Sequence, residues 1–197
     1  MSATQKALLI VCIPKGDKPR EYIKNWRPIS LLNVVYKIGS SCVVNWLKNV
    51  LPSLINEDQT GFMSNRYMGD NTMGCIWSYH YLSCNNPPGL LICIDFEKAF
   101  DSVDCYFMMK VLKAFGFGPD MCQWISTFYN KMKSAIFVNS HTSPWFFIRR
   151  GCHQGDPISP YLFLLCVEIT GIMIRQNRLI KGITINIEFC NLLTILS

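Results

Sequence analysis

No two of the ten cysteines in this 197-residue chain are spaced C-x-x-C. That excludes a zinc ribbon and a thioredoxin-like redox motif, and leaves the cysteines as small apolar residues, reduced and mostly buried. Cys152-His153 is an adjacent pair of metal-binding types, but it has no partners at zinc spacing and is weak evidence for a metal. Long hydrophobic runs are missing too. The two longest, residues 7–13 and 161–167, fall far short of the roughly 20 apolar residues that a membrane helix needs. The first follows Lys6 and runs into Pro14-Lys15-Gly16 with no small-residue cleavage pattern, so it reads as a strand and no signal peptide is expected. No internal repeat, low-complexity tract or long linker interrupts the chain. Nothing points to secretion, and no basic cluster marks a nuclear signal. The expectation is an intracellular protein, nuclear or cytoplasmic, with no membrane association.

Carboxylates are scarce: 13 Asp and Glu stand against 19 Lys and Arg, for a net charge of +6. They are also unevenly placed. Residues 1–66 hold nine basic and four acidic residues, 67–120 three and six, and 121–197 seven and three. An acidic centre between two basic arms suits an enzyme that holds metal ions among phosphate-binding cations. Ordinary solvated surface charge fits a net +6 nearly as well. Half of the residues are hydrophobic and 13% are aromatic, which supplies a core and argues against wholesale disorder. The length suits one compact domain or part of a larger one.

Periodicity predicts a strand over 7–13 and a loop or hairpin over 15–25. A helix follows over 31–49, capped by Ser30 and stopping before Pro52. A second helix is predicted over 71–83 and a buried strand over 90–94, where five apolar residues run into Asp95. Helices are expected over 104–115 and 119–132, and β runs over 134–139 and 145–150. A helix over 160–177 has Ser159 and Pro160 as N-cap and first residue. The tail, 183–197, is β-rich. Helices and strands mix without regular alternation, which gives an α+β class.

Four segments carry chemistry. In LLICIDFEKAFDSVD, residues 90–104, Asp95 at the end of a strand would be placed to hold a divalent cation, since hard cations take carboxylate oxygens. A turn or N-cap aspartate is the plainer alternative. In IPKGDKPREYIKNWRPISLLN, residues 13–33, Lys15 on a turn and Arg27 before a helix could clamp triphosphate oxygens. In QTGFMSNRYMGDNT, residues 59–72, Gly61 would allow a backbone conformation closed to other residues, and Arg66 could meet a phosphate. In GCHQGDPISPYLFLL, residues 151–165, Gly151 and Gly155 would let the backbone approach a ligand closely. The alternatives are a surface arginine, a loop leading into a helix, and core phenylalanines.

These segments, in this order, closely resemble the motifs of reverse transcriptases of the non-LTR (LINE-type) retrotransposons. The resemblance covers residues 9–168 and implies the fingers and part of the palm of a right-hand polymerase, with an antiparallel palm sheet backed by helices. Residues 1–89 would be mainly fingers and 90–197 mainly palm. It implies RNA-templated addition of deoxynucleotides to a DNA primer, with Mg2+ as cofactor. Metal ligands would be the Asp95 carboxylate and the backbone carbonyl of Phe96. Lys15, Arg27, Phe96, Phe100 and Gln154 would meet the nucleotide, with Phe100 selecting against a 2′-hydroxyl. Gly61, Phe62, Arg66 and Gly151 would meet the template. His153 stands where relatives commonly carry arginine, which weakens a contact.

The resemblance fails at one point. The family completes its site with two adjacent aspartates soon after an IKGI-like segment. Ile180-Lys181-Gly182-Ile183 is present, but the chain continues as TINIEFCNLLTILS, and no aspartate occurs after Asp156. The tail suggests a reading frame cut, spliced or shifted. The expectation is a truncated reverse transcriptase domain that does not polymerise. A non-catalytic nucleic-acid-binding remnant is the alternative, and a chain that does not fold stably is a third.

Overall fold

The computed structural model describes residues 1–2, 4–85, 90–96 and 98–182. The apolar run after Lys6 forms strand β1, Ala7–Pro14, and the chain turns back through a 3-10 turn, Ile23–Asn25, into β2, Trp26–Leu31. Helices α1, Val34–Leu54, and α2, Met68–Asn85, come next. A single turn, α3, Ala99–Ser102, leads to α4, Cys105–Ala114, and α5, Pro119–Tyr129. Strands β3, Lys133–Val138, β4, His141–Thr142, and β5, Phe146–Phe147, precede the last described helix, α6, Ser159–Gln176.

Local chemistry accounts for most boundaries. Asp104 caps α4, its Oδ1 accepting from the Phe107 N–H at 3.0 Å, and Gly116 ends that region at a φ of +79° that other residues avoid. Pro119 opens α5 at a position where no N–H is needed. Two expected caps differ. Asn33, not Ser30, caps α1, accepting from the Val35 N–H at 2.9 Å, because Ser30 is held inside β2. Ser159 is the first residue of α6 and not its cap, since its hydroxyl meets that of Tyr129 at 3.1 Å. Helix α1 also runs past Pro52 to Leu54. A proline near a C-terminus costs one ladder bond, and only the few residues after it are at stake.

The sheet is mixed, not the antiparallel one expected. Strand β1 lies antiparallel to β2 but parallel to β3, with Leu8 opposite Ser134 and Ile10 opposite Ile136. Several helices separate β1 from β3 in the chain, so β3 can arrive in the same direction as β1. Strands β4 and β5 both pair antiparallel with β3. The core lies where α1, α4, α5 and α6 meet under the sheet, with Leu8, Tyr36, Leu47, Leu112, Ile125 and Leu162 almost fully buried. Arg175 of α6 binds Glu168 and lies 3.8 Å from Asp58, tying that helix to the loop after α1.

The expected strand over 90–94 is a correction. Those residues carry no strand, and Leu90 and Ile92 are 78% and 67% exposed. A strand exists only by pairing, and no described strand pairs with this run. The β-rich segment 183–197 lies outside the described residues. Among the described residues, no helix is long and apolar enough to cross a membrane.

Burial of this kind separates core from surface experimentally. Leu47→Ala should cost about 2–5 kcal/mol in urea unfolding, as for other fully buried leucines. Leu91→Ala, in the uncovered run, should stay within about 0.5 kcal/mol. Equal losses at the two positions would mean that the 90–94 run is packed in solution.

Candidate nucleotide and template site

Distant segments converge at the C-terminal end of β2. The Ser30 N–H donates to the Gln154 carbonyl at 2.9 Å. Gly155 follows at a φ of +106°, and a Cβ there would stand 2.8 Å from the Ser30 carbonyl oxygen. Only glycine fits that approach. The β1–β2 hairpin carries Lys15 and Arg27. The Lys15 ammonium donates to the Lys24 carbonyl at 2.9 Å, closing the loop it sits on, while Arg27 is opposite Ile13 and exposed. The Trp26 indole N–H and the Asn25 amide shape the same loop by donating to the Arg20 and Pro19 carbonyls.

A second junction joins the Asp95 segment to the same loop. The Cys152 N–H donates to the Phe100 carbonyl at 2.7 Å, and the Gly151 N–H to that of Val103 at 2.8 Å. Gly151 has a φ of +97°, and a Cβ there would meet the Asp101 Cα at 3.1 Å. The space around Gly151 is therefore used by this chain's own backbone. The Phe100 ring stacks on Phe163 of α6 at 4.9 Å. Phe62 meets Phe100, and Phe96 meets Phe163, each edge-on at 6.4 Å. Edge-to-face and offset geometries at these separations are favourable. Phe163, the buried centre of this group, was not among the residues singled out from sequence. It lies in an apolar run, where nothing local distinguishes it from a core residue.

At two of the marked residues the local structure differs from the sequence reading. Gly61 has no left-handed backbone; the positive φ values in its segment belong to Phe62 and Asn65. The guanidinium of Arg66 donates to the carbonyls of Ile55, Asn56 and Gln59. Ile55 is the C-cap of α1 and the other two carbonyls belong to the loop after it, so Arg66 ties that loop to the helix end and keeps little of its fork for a phosphate. Asp95 is exposed, and among the described residues no ion pair links it to another residue.

Beneath the Gln154–Gly155 turn lies a buried polar network. Asp156 is 3% exposed. Its Oδ2 accepts from the Tyr36 hydroxyl at 2.8 Å and from Tyr129 at 3.5 Å, and its Oδ1 accepts from the Ile158 N–H at 3.2 Å. Burial raises the carboxyl's pKa, and the hydrogen bonds oppose that only in part. His153 is buried too, its ring stacked on Tyr129 at 5.5 Å with Nε2 2.9 Å from the Met132 sulfur. Burial lowers its pKa to about 4. The histidine packs inward against Tyr129 and Met132.

Residues 13–187 match the model of a family described as reverse transcriptase (RNA-dependent DNA polymerase). The chain belongs to the reverse transcriptase family. It is 33% identical over 182 residues, 87% of its length, to a protein called "Transposon TX1 uncharacterized 149 kDa protein" of Xenopus laevis, of which it covers 14%. It is 27% identical over 168 residues to the Pol polyprotein of retrotransposable element R2DM of Drosophila melanogaster, 80% of this chain and 15% of that one. A polyprotein from element R2 of Popillia japonica is 30% identical over 92 residues, 45% of this chain and 15% of its own length. This reverse transcriptase segment is thus of the non-LTR retrotransposon type, and it spans about one seventh of the relatives it matches.

The buried titratable groups predict how stability varies with pH. An unfolded histidine takes up a proton near 6.5, while His153 in the fold does so only near 4. Its contribution is full above pH 6.5 and is lost as pH falls towards 4, by about 3 kcal/mol at roughly 1.4 kcal/mol per unit. His153→Phe should flatten that acid limb in urea titrations. Asp156 acts oppositely, because its raised pKa makes the fold lose stability as pH rises through that pKa. At pH 7 Asp156→Asn, which keeps an acceptor for Tyr36 and removes the charge, should be more stable than Asp156→Ala by about 1–3 kcal/mol.

Proposed function

We propose that this chain forms the fingers and part of the palm of a right-hand polymerase, residues 1–89 and 90–197 respectively, and binds nucleic acid without polymerising DNA by itself. One observation carries the placement. All four motif segments meet, through the Ser30–Gln154 and Phe100–Cys152 backbone bonds and the ring contacts of Phe62, Phe96, Phe100 and Phe163. Residues so distant in sequence converge where a common ligand is bound. In this proposal Arg27 and Lys15 hold the triphosphate, Phe100 bounds the sugar, and Gln154 supports the base pair. Phe62, with Gly61 and Gly151 shaping the backbone beside it, borders the template. RNA template, DNA primer and deoxynucleotides are the ligands that the family implies.

Magnesium is the family's ion, and the residues described do not fit a pair of them. Two-metal transfer needs carboxylates that fix two cations about 3.5–4 Å apart. Among the described residues, no three His, Cys, Asp or Glu side chains converge as a metal site. Asp95 and the Phe96 carbonyl supply one set of ligands. Asp156 is not a substitute, because its carboxylate is buried on Tyr36 and Ile158. Glu168 is taken by Arg175.

Purified protein should bind labelled RNA–DNA duplex with Kd on the order of 10⁻⁴–10⁻⁶ M, weakening steeply with salt. In primer extension with magnesium and deoxynucleotides it should give no product. Extension that vanishes in Asp95→Ala would overturn the inactivity, and salt-independent binding would overturn the electrostatic groove.

A further inference from the structure

Between Asp120 and Asp156 the chain has no carboxylate, yet it carries Lys131, Lys133, Arg149 and Arg150. Within this stretch β3 pairs with β5 as an antiparallel ribbon, and the chain into β5 carries three consecutive aromatics, Trp145, Phe146 and Phe147. Trp145 and Phe147 are 53% and 57% exposed. Lys133 lies opposite Phe147 in the register, and its ammonium stands 5.1 Å from the Phe147 ring centre, so cation and ring share one face. Arg149 is exposed just beyond β5, and Arg150, 74% exposed at its side chain, is only 3.9 Å from Asp104 at closest. The ribbon then runs directly into Gly151 and Cys152, which bond to Val103 and Phe100.

We propose that this ribbon is a stacking platform for single-stranded nucleic acid leading to the Phe100 site, resting on the nucleic-acid-binding function proposed above. Exposed rings are costly in water, and bases stack on them regardless of sequence. Lys133 on the ring's face, with Arg149 exposed just beyond the strand, meets the phosphates between those bases. A protein partner or a second copy of the chain would value the rings, but the one-signed charge of the stretch favours a polyanion. The continuity with the Phe100 site gives the strand a destination.

Binding of the whole 197-residue chain to fluorescein-labelled oligo-dT and, separately, to RNA–DNA duplex tests the platform by anisotropy at several salt concentrations. Phe147→Leu keeps an apolar side chain and removes the stack; circular dichroism melts check that it folds. It should weaken oligo-dT binding by roughly five- to a hundred-fold with the salt slope unchanged, and Phe147→Trp should restore it. Lys133→Gln with Arg149→Gln should weaken binding and lower the salt slope by roughly 0.7 per charge removed. Duplex bound but oligo-dT unaffected by both variants would overturn the platform and leave the proposed function standing. Neither probe bound by the wild type would overturn both. A dimer in sedimentation that Phe147→Leu dissociates, with oligo-dT affinity unchanged, would assign the ribbon to self-association instead.

Discussion

A carboxylate sealed in a hydrophobic core must be answered by donors, and Asp156 imposes that requirement on everything around it. Its two oxygens draw Tyr36 from α1, Tyr129 from α5 and the backbone at the start of α6 to one point. The turn directly before it, Gln154–Gly155, is thereby set against β2 within hydrogen-bond distance of Ser30. Removing any donor leaves part of a buried charge uncompensated, which costs more than a neutral hydrogen bond contributes. The position of the candidate base-pair contact thus depends on a network that lies wholly beneath it.

The same economy appears at the motif glycines and at Arg66. Gly151 and Gly155 sit where other residues would be strained, but the atoms they make room for are backbone atoms of Asp101 and Ser30. Arg66 supplies the C-cap of α1 and the loop after it with donors. Residue types that chemistry would place on a ligand here build the scaffold. A motif string therefore mixes groups that would touch substrate with groups that hold those groups still, and the two look alike when only the string is read.

Short-range signals were legible. The helix starting near Asp104, Pro119 at the head of α5, the strand over 7–13 and the apolar helix over 160–177 all arise from residues within a turn or two of each other. The family was legible as well, because four separate strings agree in order. The strand expected over 90–94 was not, for a physical reason: apolar residues ending in aspartate describe half of a pairing, and the other half must be supplied from elsewhere in the chain. The parallel register of β1 and β3 was hidden for the same reason, as was Phe163, whose role arises from Phe96 and Phe100 arriving beside it.

By itself the sequence determined the family, the mixture of helices and strands, most helix ends, and the absence of any aspartate after Asp156, since each of these depends on residue identity or near neighbours. Tertiary structure decided which of the marked residues stay available for a ligand. Burial turned Asp156 and His153 inward, backbone carbonyls claimed Arg66, and residues 90–94, with no strand partner among the described residues, stay largely exposed, as do the aromatics of β3 and β5. Availability is a property of surroundings, and surroundings are assembled from parts of the chain that no local pattern brings together.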